Sequence, residues 1–371
     1  MEMKKKKIGG QTVKLEHPPK IISTHSIVGP KEGEGPLSSY FDVILNDDTC
    51  GKDTYEQAES QMMFTAISEA LKKANLKEKD IDYLFSGDLL NQIISSSFAA
   101  REFSIPFFGL YGACSTMSES LSLASLIMDG GFADHVIATT SSHFSSAERQ
   151  FRFPLDYGSQ RPQTSQWTVT GSGAAVLGHE GKFPMVTYIT TGKVKDFGQK
   201  DANNMGAAMA PAAVDTIVAH FKDTGRKPED YDIIATGDLG KVGRELSDTL
   251  IKEYGYDITS NHIDCGEIIF DNENQNTDAG GSGCGCSAVV FTGYLYKKLM
   301  KKEIKKVLLV STGALMSTTS SLQGETIPGI AHAVAIEMNW FKLLKEWKYN
   351  GLYSCIYSWR TYMCNCSNTN W

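Results

Sequence analysis

A mixed α/β fold made of two copies of one half-domain is predicted by three observations. The segment DIDYLFSGDL at 80–89 returns as DYDIIATGDL at 230–239. Each copy follows a stretch with helical apolar spacing: Met62, Phe64, Ala66, Ile67, Ala70 and Leu71 in the first, residues 207–221 in the second. Finally, GACS at 112–115, a long helix and the β-branched run DHVIATTS at 134–141 have a counterpart. It is GCGC at 283–286, a helix to about 300, and KVLLVST at 306–312. β-branched runs at 20–29 and 183–194 open the halves, and runs at 167–178 and 330–337 close them. Each half therefore reads as βαβαβαββ, with expected limits 20–180 and 181–337, its sheet and helices packed in layers. The period is far too long for a solenoid.

Composition narrows the function before any motif does. The chain has 371 residues, 41% of them hydrophobic, enough for a well-buried core. Lys and Arg total 36 against 43 Asp and Glu, and the net charge of −7 argues against nucleic-acid binding. No apolar run reaches the roughly 18–20 residues that a spanning helix needs. The basic start at 4–7 leads into no apolar signal segment. Eight cysteines in a chain this long point to a reduced, intracellular setting rather than a disulfide framework. Beyond 337 the pattern changes, and Trp340, Trp347, Trp359, Trp371, Cys355, Cys364 and Cys366 crowd residues 338–371. The expectation is a tail outside the fold; an aromatic, Cys-rich binding tail is the competing reading.

GLYGACST at 109–116 opens a helix to about 129 that carries Met117, Leu121, Leu123, Ala124, Leu126, Ile127 and Met128 and no Lys or Arg. Such a helix is apolar around most of its circumference and is expected to be buried. Cys114 at its start has two readings. The positive end of the helix dipole favours a thiolate, and the N–H groups there offer an anion site. Against that, free cysteine is among the most commonly buried residue types, and an inert core thiol is equally consistent.

Duplicated halves with a cysteine opening the first central helix resemble the thiolase and ketoacyl-synthase superfamily. Within it the chain resembles the stage V sporulation protein AD family. The stretches that carry this are VGPKEGEGPL (28–37), GDLLNQ (87–92), GACSTMSES (112–120), DGGFA (129–133) and SSHFSSAERQFRFP (141–154) in the first half. TVTGSGAAVL (168–177), MGAAMAPAAVDTI (205–217), DAGGSGCGCSAVV (278–290) and IPGIAHAV (327–334) continue it. The resemblance implies a thiolase-like fold over about 20–337, and it shows what is missing. Where single-domain ketoacyl synthases carry a catalytic His, this chain reads GDLG at 237–240; where they carry an Asn, it reads AGGS at 279–282. The thiolase Gly-His-Pro segment falls near SGCG at 282–285, and the second thiolase Cys falls near Val310 and Ser311. Each lost base or oxyanion donor costs on the order of 10²–10⁴ in rate. The expectation is a non-enzymatic binding protein, the alternative a residual acyltransferase or thioesterase using Cys114. Asp238 is a candidate base, but its repeat mate Asp88 also ends a Gly-Asp-Leu strand, so turn or capping work is expected of both.

The resemblance further implies a ligand, dipicolinic acid (pyridine-2,6-dicarboxylate), taken into the developing spore with membrane channel partners. It places the protein in the forespore, peripherally at the inner spore membrane. A flat dianion needs cationic or N–H-rich ends and an apolar slot. Residues 141–161 offer His143, Arg149, Arg152 and Arg161 interleaved with Phe144, Phe151, Phe153 and Tyr157. A homodimer, also expected, could claim the same segment as its interface. The candidate pocket set is Cys114, Ser115, His143, Arg149, Arg152, Asp88, Asn91 and His332, the last of which also suits a satisfied core histidine. The cysteines of CGC at 284–286 do not close a metal site and no EF-hand loop is present, so no metal or cofactor is expected. Calcium would arrive as part of the ligand chelate.

Removing residues 338–371 is expected to change the unfolding free energy by no more than about 1 kcal/mol, as for segments outside a core. Urea titration of the two chains measures this, and loss of cooperative folding on truncation would place the tail in the packed domain.

Overall fold

The β-branched runs become strands and the periodic stretches become helices, twice over, in a computed structural model that describes residues 6–151 and 161–338. Arg152, Phe153, Tyr157 and the tail from 339 onward lie outside the described residues. The chain divides into two units, Met1–Glu337 and Met338–Trp371, and the first is described here. Its first half supplies β1 (Thr12–Lys14), β2 (Lys20–Val28), β3 (Val43–Ile44), β4 (Tyr83–Gly87), β5 (Phe107–Gly109), β6 (Val136–Ser142), β7 (Trp167–Thr168) and β8 (Gly171–Gly178). The second supplies β9 (Met185–Thr190), β10 (Ile233–Thr236), β11 (His262–Asp264), β12 (Gly281–Ser282), β13 (Lys306–Ala314) and β14 (Gly329–Glu337).

The main sheet runs β11-β10-β13-β14-β9-β2-β8-β6-β4-β5, an order symmetric about the β9–β2 junction. Three parallel strands end each half-sheet, and the closing strands β8 and β14 are antiparallel to both neighbours. One register pair, Lys20 with Met185, joins β2 to β9. Helix Tyr55–Ala74 covers β2, β6 and β8, and helix Met205–Thr224 covers β13 and β14. Both are bounded as their sequences dictate. Thr54 and Asn204 cap the N-termini through their side-chain oxygens, and left-handed Asn75 and Gly225 end them.

The central helix Thr116–Asp129 touches β4 and β6 of one half-sheet and β13 and β14 of the other. Its counterpart starts with Cys284–Val289 and continues through a π-helical turn to Met300. The layers are thus helix, half-sheet, paired central helices, half-sheet, helix. Met62, Ile67, Leu84, Ile137 and Val176 fill one interlayer core, and Ile217, Phe221, Ile234, Leu308 and Val310 another. Each such side chain contributes roughly 1.5–3 kcal/mol on burial.

Two predicted strands are redrawn. The run 167–178 splits, because Trp167–Thr168 leaves the main sheet to pair in parallel with β12. The run 183–194 contracts to Met185–Thr190. At the N-terminus, β1 pairs antiparallel with β9, and Asp223 accepts the N–H groups of Gly10, Gln11 and Thr12 at 3.0, 2.9 and 2.9 Å. Among the described residues no helix is long and apolar enough to cross a membrane.

Backbones approach closely where β13 crosses the start of the central helix. A Cβ on Gly313 would lie 2.4 Å from the Gly112 carbonyl oxygen and 3.1 Å from the Ser115 nitrogen. Gly313→Ala is therefore expected to lower the unfolding free energy by about 1–3 kcal/mol. Gly10→Ala, where the added carbon meets nothing, should stay within about 0.5 kcal/mol. Denaturant titration of both variants checks the contrast.

Candidate functional site

A tight turn sets Cys114 at the base of the central helix. The Ser115 hydroxyl donates to the Gly112 carbonyl at 2.6 Å, and the Thr116 hydroxyl donates to the Ala113 carbonyl at 2.6 Å while accepting the Gly112 N–H at 3.1 Å. Ala113 sits at φ +49°, a conformation that a residue with a side chain holds only when its surroundings impose it. The partner helix arrives through Gly283, at φ +105°, and the Cys284 thiol donates to the Ala113 carbonyl at 3.0 Å. Leu89, Cys114, Ala147 and Cys284 pack into one small apolar cluster, with Phe151 against it.

The thiol is not the thiolate that a helix dipole would favour. Burial, followed by the charges of Asp238 and Cys284, pushes Cys114 well above its usual range. Asp238 lies beside it, fully buried, accepting the Gly283 N–H at 3.0 Å on one oxygen and the Thr312 hydroxyl at 2.8 Å on the other. Burial raises this carboxyl from 3.8 to about 7.

Asp238 and Asp88 part company here, which corrects the expectation of equal capping work. Asp88 does cap: its oxygens accept the Leu90 and Ser96 N–H groups at 2.8 and 2.7 Å. In the second half that work falls to Asp264, which accepts Leu239 N–H at 2.8 Å, Gly240 N–H at 2.9 Å and Glu267 N–H at 3.1 Å. The reason is a register position. Thr236 pairs with Asp264 where the equivalent Ser86 pairs with Gly109, which has no side chain to offer. Asp264 thereby frees Asp238 to face the thiol. Sequence reasoning passed over Asp238 as a site residue; the available signal was this Gly109-for-Asp264 difference between the repeats.

The other candidates scatter. Ser115 is spent on its turn. His143 is fully buried, its Nδ1 accepting the Ser145 N–H at 3.1 Å and its Nε2 lying 2.7 Å from the Asp48 carbonyl, and burial lowers its proton affinity. His332 accepts the Gly192 N–H at 3.2 Å, and burial holds it down at about 4. Arg161 binds the Gln166 carbonyl at 2.5 Å and faces Glu148 and Asp278. Arg149 and Asn91 do meet, in an open cleft of about 190 Å³ with Gln150, Glu56, Leu90 and Ile94. Helix Phe144–Phe151 serves both the cleft and the cluster: Ser146 and Arg149 line the first, and Ala147 and Phe151 pack into the second. Behind that helix Glu59 accepts the hydroxyls of Ser141 and Ser146 at 3.1 and 2.8 Å. Burial and then neighbouring Asp88 push Glu59 well upward. Among the described residues no cluster of three or more His, Cys, Asp or Glu could hold a metal.

Residues 9–337 match the family described as stage V sporulation protein AD. The stage V sporulation protein AD of Bacillus subtilis (strain 168) is 48% identical over 329 residues, covering 89% of this chain and 97% of that protein. Among solved structures, 3-oxoacyl-[acyl-carrier-protein] synthase III from Aquifex aeolicus VF5 superposes with a TM-score of 0.53. It is 15% identical over 86% of this chain and 99% of its own. A single-residue variant of Xanthomonas campestris OleA gives 0.55 at 14% identity, covering 87% of this chain and 99% of its own. At these identities the likeness is one of fold, and the fold is thiolase-like.

Two buried carboxyls give the molecule a pH signature. Burial raises Asp238 from 3.8 and Glu32 from 4.5, each to about 7. At these two groups the folded protein keeps protons that the unfolded chain releases near pH 4, so their contribution to stability falls as pH rises from about 4 to about 7, while buried His25, His220 and His332, held low by burial, contribute with the opposite sign. Asp238→Asn should remove one such contribution, so urea titrations across the range should show a slope of stability against pH more positive than in the parent chain. Parallel slopes would mean that Asp238 is already ionised at the acidic end.

Proposed function

We propose, from the premise that this chain belongs to the stage V sporulation protein AD family and so serves sporulation, that it binds dipicolinic acid and performs no condensation chemistry. The observation that carries the reading is the open cleft across helix Phe144–Phe151 from the Cys114 cluster. Its Arg149 side chain is 57% exposed, with Glu56 at 3.4 Å as a surface partner. Asn91 and Gln150 add neutral donors, and Leu90 and Ile94 give the ring an apolar floor. A flat dicarboxylate would set one carboxylate on the guanidinium and its ring across the two aliphatic side chains. A net charge of −7 draws no anion from a distance, so attraction is local, at roughly 1.5–3 kcal/mol per charged hydrogen bond. The Cys114 cluster is closely packed, and the carboxyls of Asp238, Asp88 and Glu59 act on its two thiols, so it does not suit a dianion.

The same geometry supports a binding role over a catalytic one. Cys114 is held as a thiol, and among the described residues no imidazole hydrogen-bonds to it. His143 and His332 are occupied by backbone groups. In this reading the protein works at the forespore face of the inner spore membrane as a homodimer, passing the acid or its calcium chelate to membrane channel partners. A residual thioesterase has one observation in its favour, the carboxyl of Asp238 beside the thiol. Acylation of the Cys114 peptide with turnover of short acyl-CoA thioesters, read by mass spectrometry, would establish it.

Calorimetry of the full chain with dipicolinate, with and without calcium, tests the binding role. Arg149→Ala should weaken binding about tenfold or more, as expected for loss of a charge-assisted contact. It should barely affect an uncharged pyridine analogue. Cys114→Ala should cost less. Should Cys114→Ala abolish binding while Arg149→Ala binds normally, the ligand belongs at the start of the central helix and the cleft reading fails.

A further inference from the structure

We infer that this chain meets an anionic lipid bilayer where its central helix ends, because the fold brings the lysine run 4–7 to the DGGFA turn at 129–133. Lys6 joins the two. Its Nζ donates to Asp129, the last residue of the helix, at 2.8 Å on Oδ2 and 3.0 Å on the carbonyl oxygen. The His17 N–H takes the other Asp129 oxygen at 2.6 Å. The backbone beside Lys6 is held as well: Lys14 N–H donates to the Lys6 carbonyl and Ile8 N–H to the Thr12 carbonyl, each at 3.0 Å. Lys7 and Ile8 therefore have a fixed place beside that helix end, and both are exposed. Lys4 and Lys5 immediately precede Lys6 in the chain.

The turn leaves an apolar side chain in solvent. Gly131, at φ +76°, ends the helix in the left-handed region, and the N–H groups of Gly131 and Phe132 donate back to the Met128 and Ile127 carbonyls at 3.0 and 3.1 Å. Such an end commonly rests the apolar residue after it on the last helical turn. Here Phe132 stays 74% exposed, and Leu126, on that turn, is 39% exposed. Packing does not account for the phenylalanine, which serves neither the core nor the Arg149 cleft. One exposed apolar side chain alone is ordinary. Two of them at one helix end, beside a run of lysines, form the pairing by which peripheral proteins hold a bilayer. Apolar groups enter the headgroup boundary while the cations stay with the phosphates.

Charge decides which lipid. The chain as a whole carries −7 and is repelled by an anionic surface. Screening confines each charge to roughly 10 Å at about 0.1 M salt, so a local run governs contact. Asp129 and Glu16, at 2.8 and 4.0 Å, occupy Lys6 as the anchor. The headgroup contacts then fall to Lys4, Lys5 and Lys7. A lysine near an anionic surface is worth about fivefold in affinity, and a phenylalanine side chain leaving water about tenfold or more. Contact of this kind rests on the peripheral placement proposed above and not on the ligand. A chain that binds vesicles but no dipicolinate sustains it and sinks the ligand reading; the reverse result does the opposite.

Flotation of the full chain with protein-free phosphatidylcholine vesicles, with or without phosphatidylglycerol, tests the contact. Binding should require the anionic lipid and weaken as salt is raised. Replacing Lys4, Lys5 and Lys7 together with Gln should weaken it more than about tenfold; Lys6 stays, to hold Asp129. Phe132→Ser should weaken it about tenfold. Both variants should keep the parent's urea midpoint, which separates lost contact from lost folding. Should a variant lose its fold, Lys7→Gln or Phe132→Gln, each at an exposed position, takes its place. Absence of binding to protein-free vesicles, equal binding with and without phosphatidylglycerol, or unchanged binding in either variant would overturn the inference. Unchanged variants would hand the contact to another part of the chain, such as residues 338–371.

Discussion

Two helix starts meet at the centre of this protein with almost no water to serve them, and the rest of the site follows from that constraint. A buried polar group left without a partner costs about 1–3 kcal/mol, and several groups at this junction find partners within the fold. The Cys284 thiol takes the Ala113 carbonyl, and the Thr140 hydroxyl takes the Cys284 carbonyl at 2.8 Å. Ser118, Ser311 and Ser287 link hydroxyl to hydroxyl across the two helices and β13, at 2.8 and 3.0 Å. Small residues at these positions let backbones approach, and hydroxyls on them keep the approach satisfied. Cys114 is buried by this arrangement, and that burial, followed by the charges of Asp238 and Cys284, favours its protonated form.

Duplication supplies the symmetry, and a difference of one side chain breaks it. In the first half Asp88 must anchor the loop after its strand, because Gly109 beside it has nothing to contribute. In the second half Asp264 anchors the loop, and Asp238 is left to turn inward. The same Gly-Asp-Leu sequence therefore does structural work in one copy and faces the thiol in the other. What distinguishes them lies on a neighbouring strand, 26 residues further along the chain from Asp238.

That separation explains what could be read from the sequence and what could not. The repeat, the apolar periods, the β-branched runs and the glycine-flanked cysteine each declare themselves locally, and the halves, layers and central helix follow. The inward turn of Asp238 depends on a cross-strand partner, and the upward shift of Cys114 depends on which charges fold next to it. A helix dipole is legible in sequence, whereas a carboxyl arriving from β10 is not. His143 looked free for the same reason, because its partners at Asp48 and Ser145 are backbone groups whose approach no side-chain pattern announces. Arg149 and Asn91, exposed and close to their elements' ends, were easier to place.

The clasp at the N-terminus bears on how the chain is made. Gly10, Gln11 and Thr12 donate to Asp223, and β1 completes its pairing only against Tyr188–Thr190. On a ribosome these early residues wait for partners that emerge near the start of the second half. Their contacts are also among the most distant in sequence that the fold contains, the kind that forms slowly because loop closure precedes any gain. Until helix Met205–Thr224 has left the exit tunnel, the opening segment of the polypeptide has nowhere to dock. A nascent first half thus carries residues 12–14 without the strand that pairs them in the finished fold.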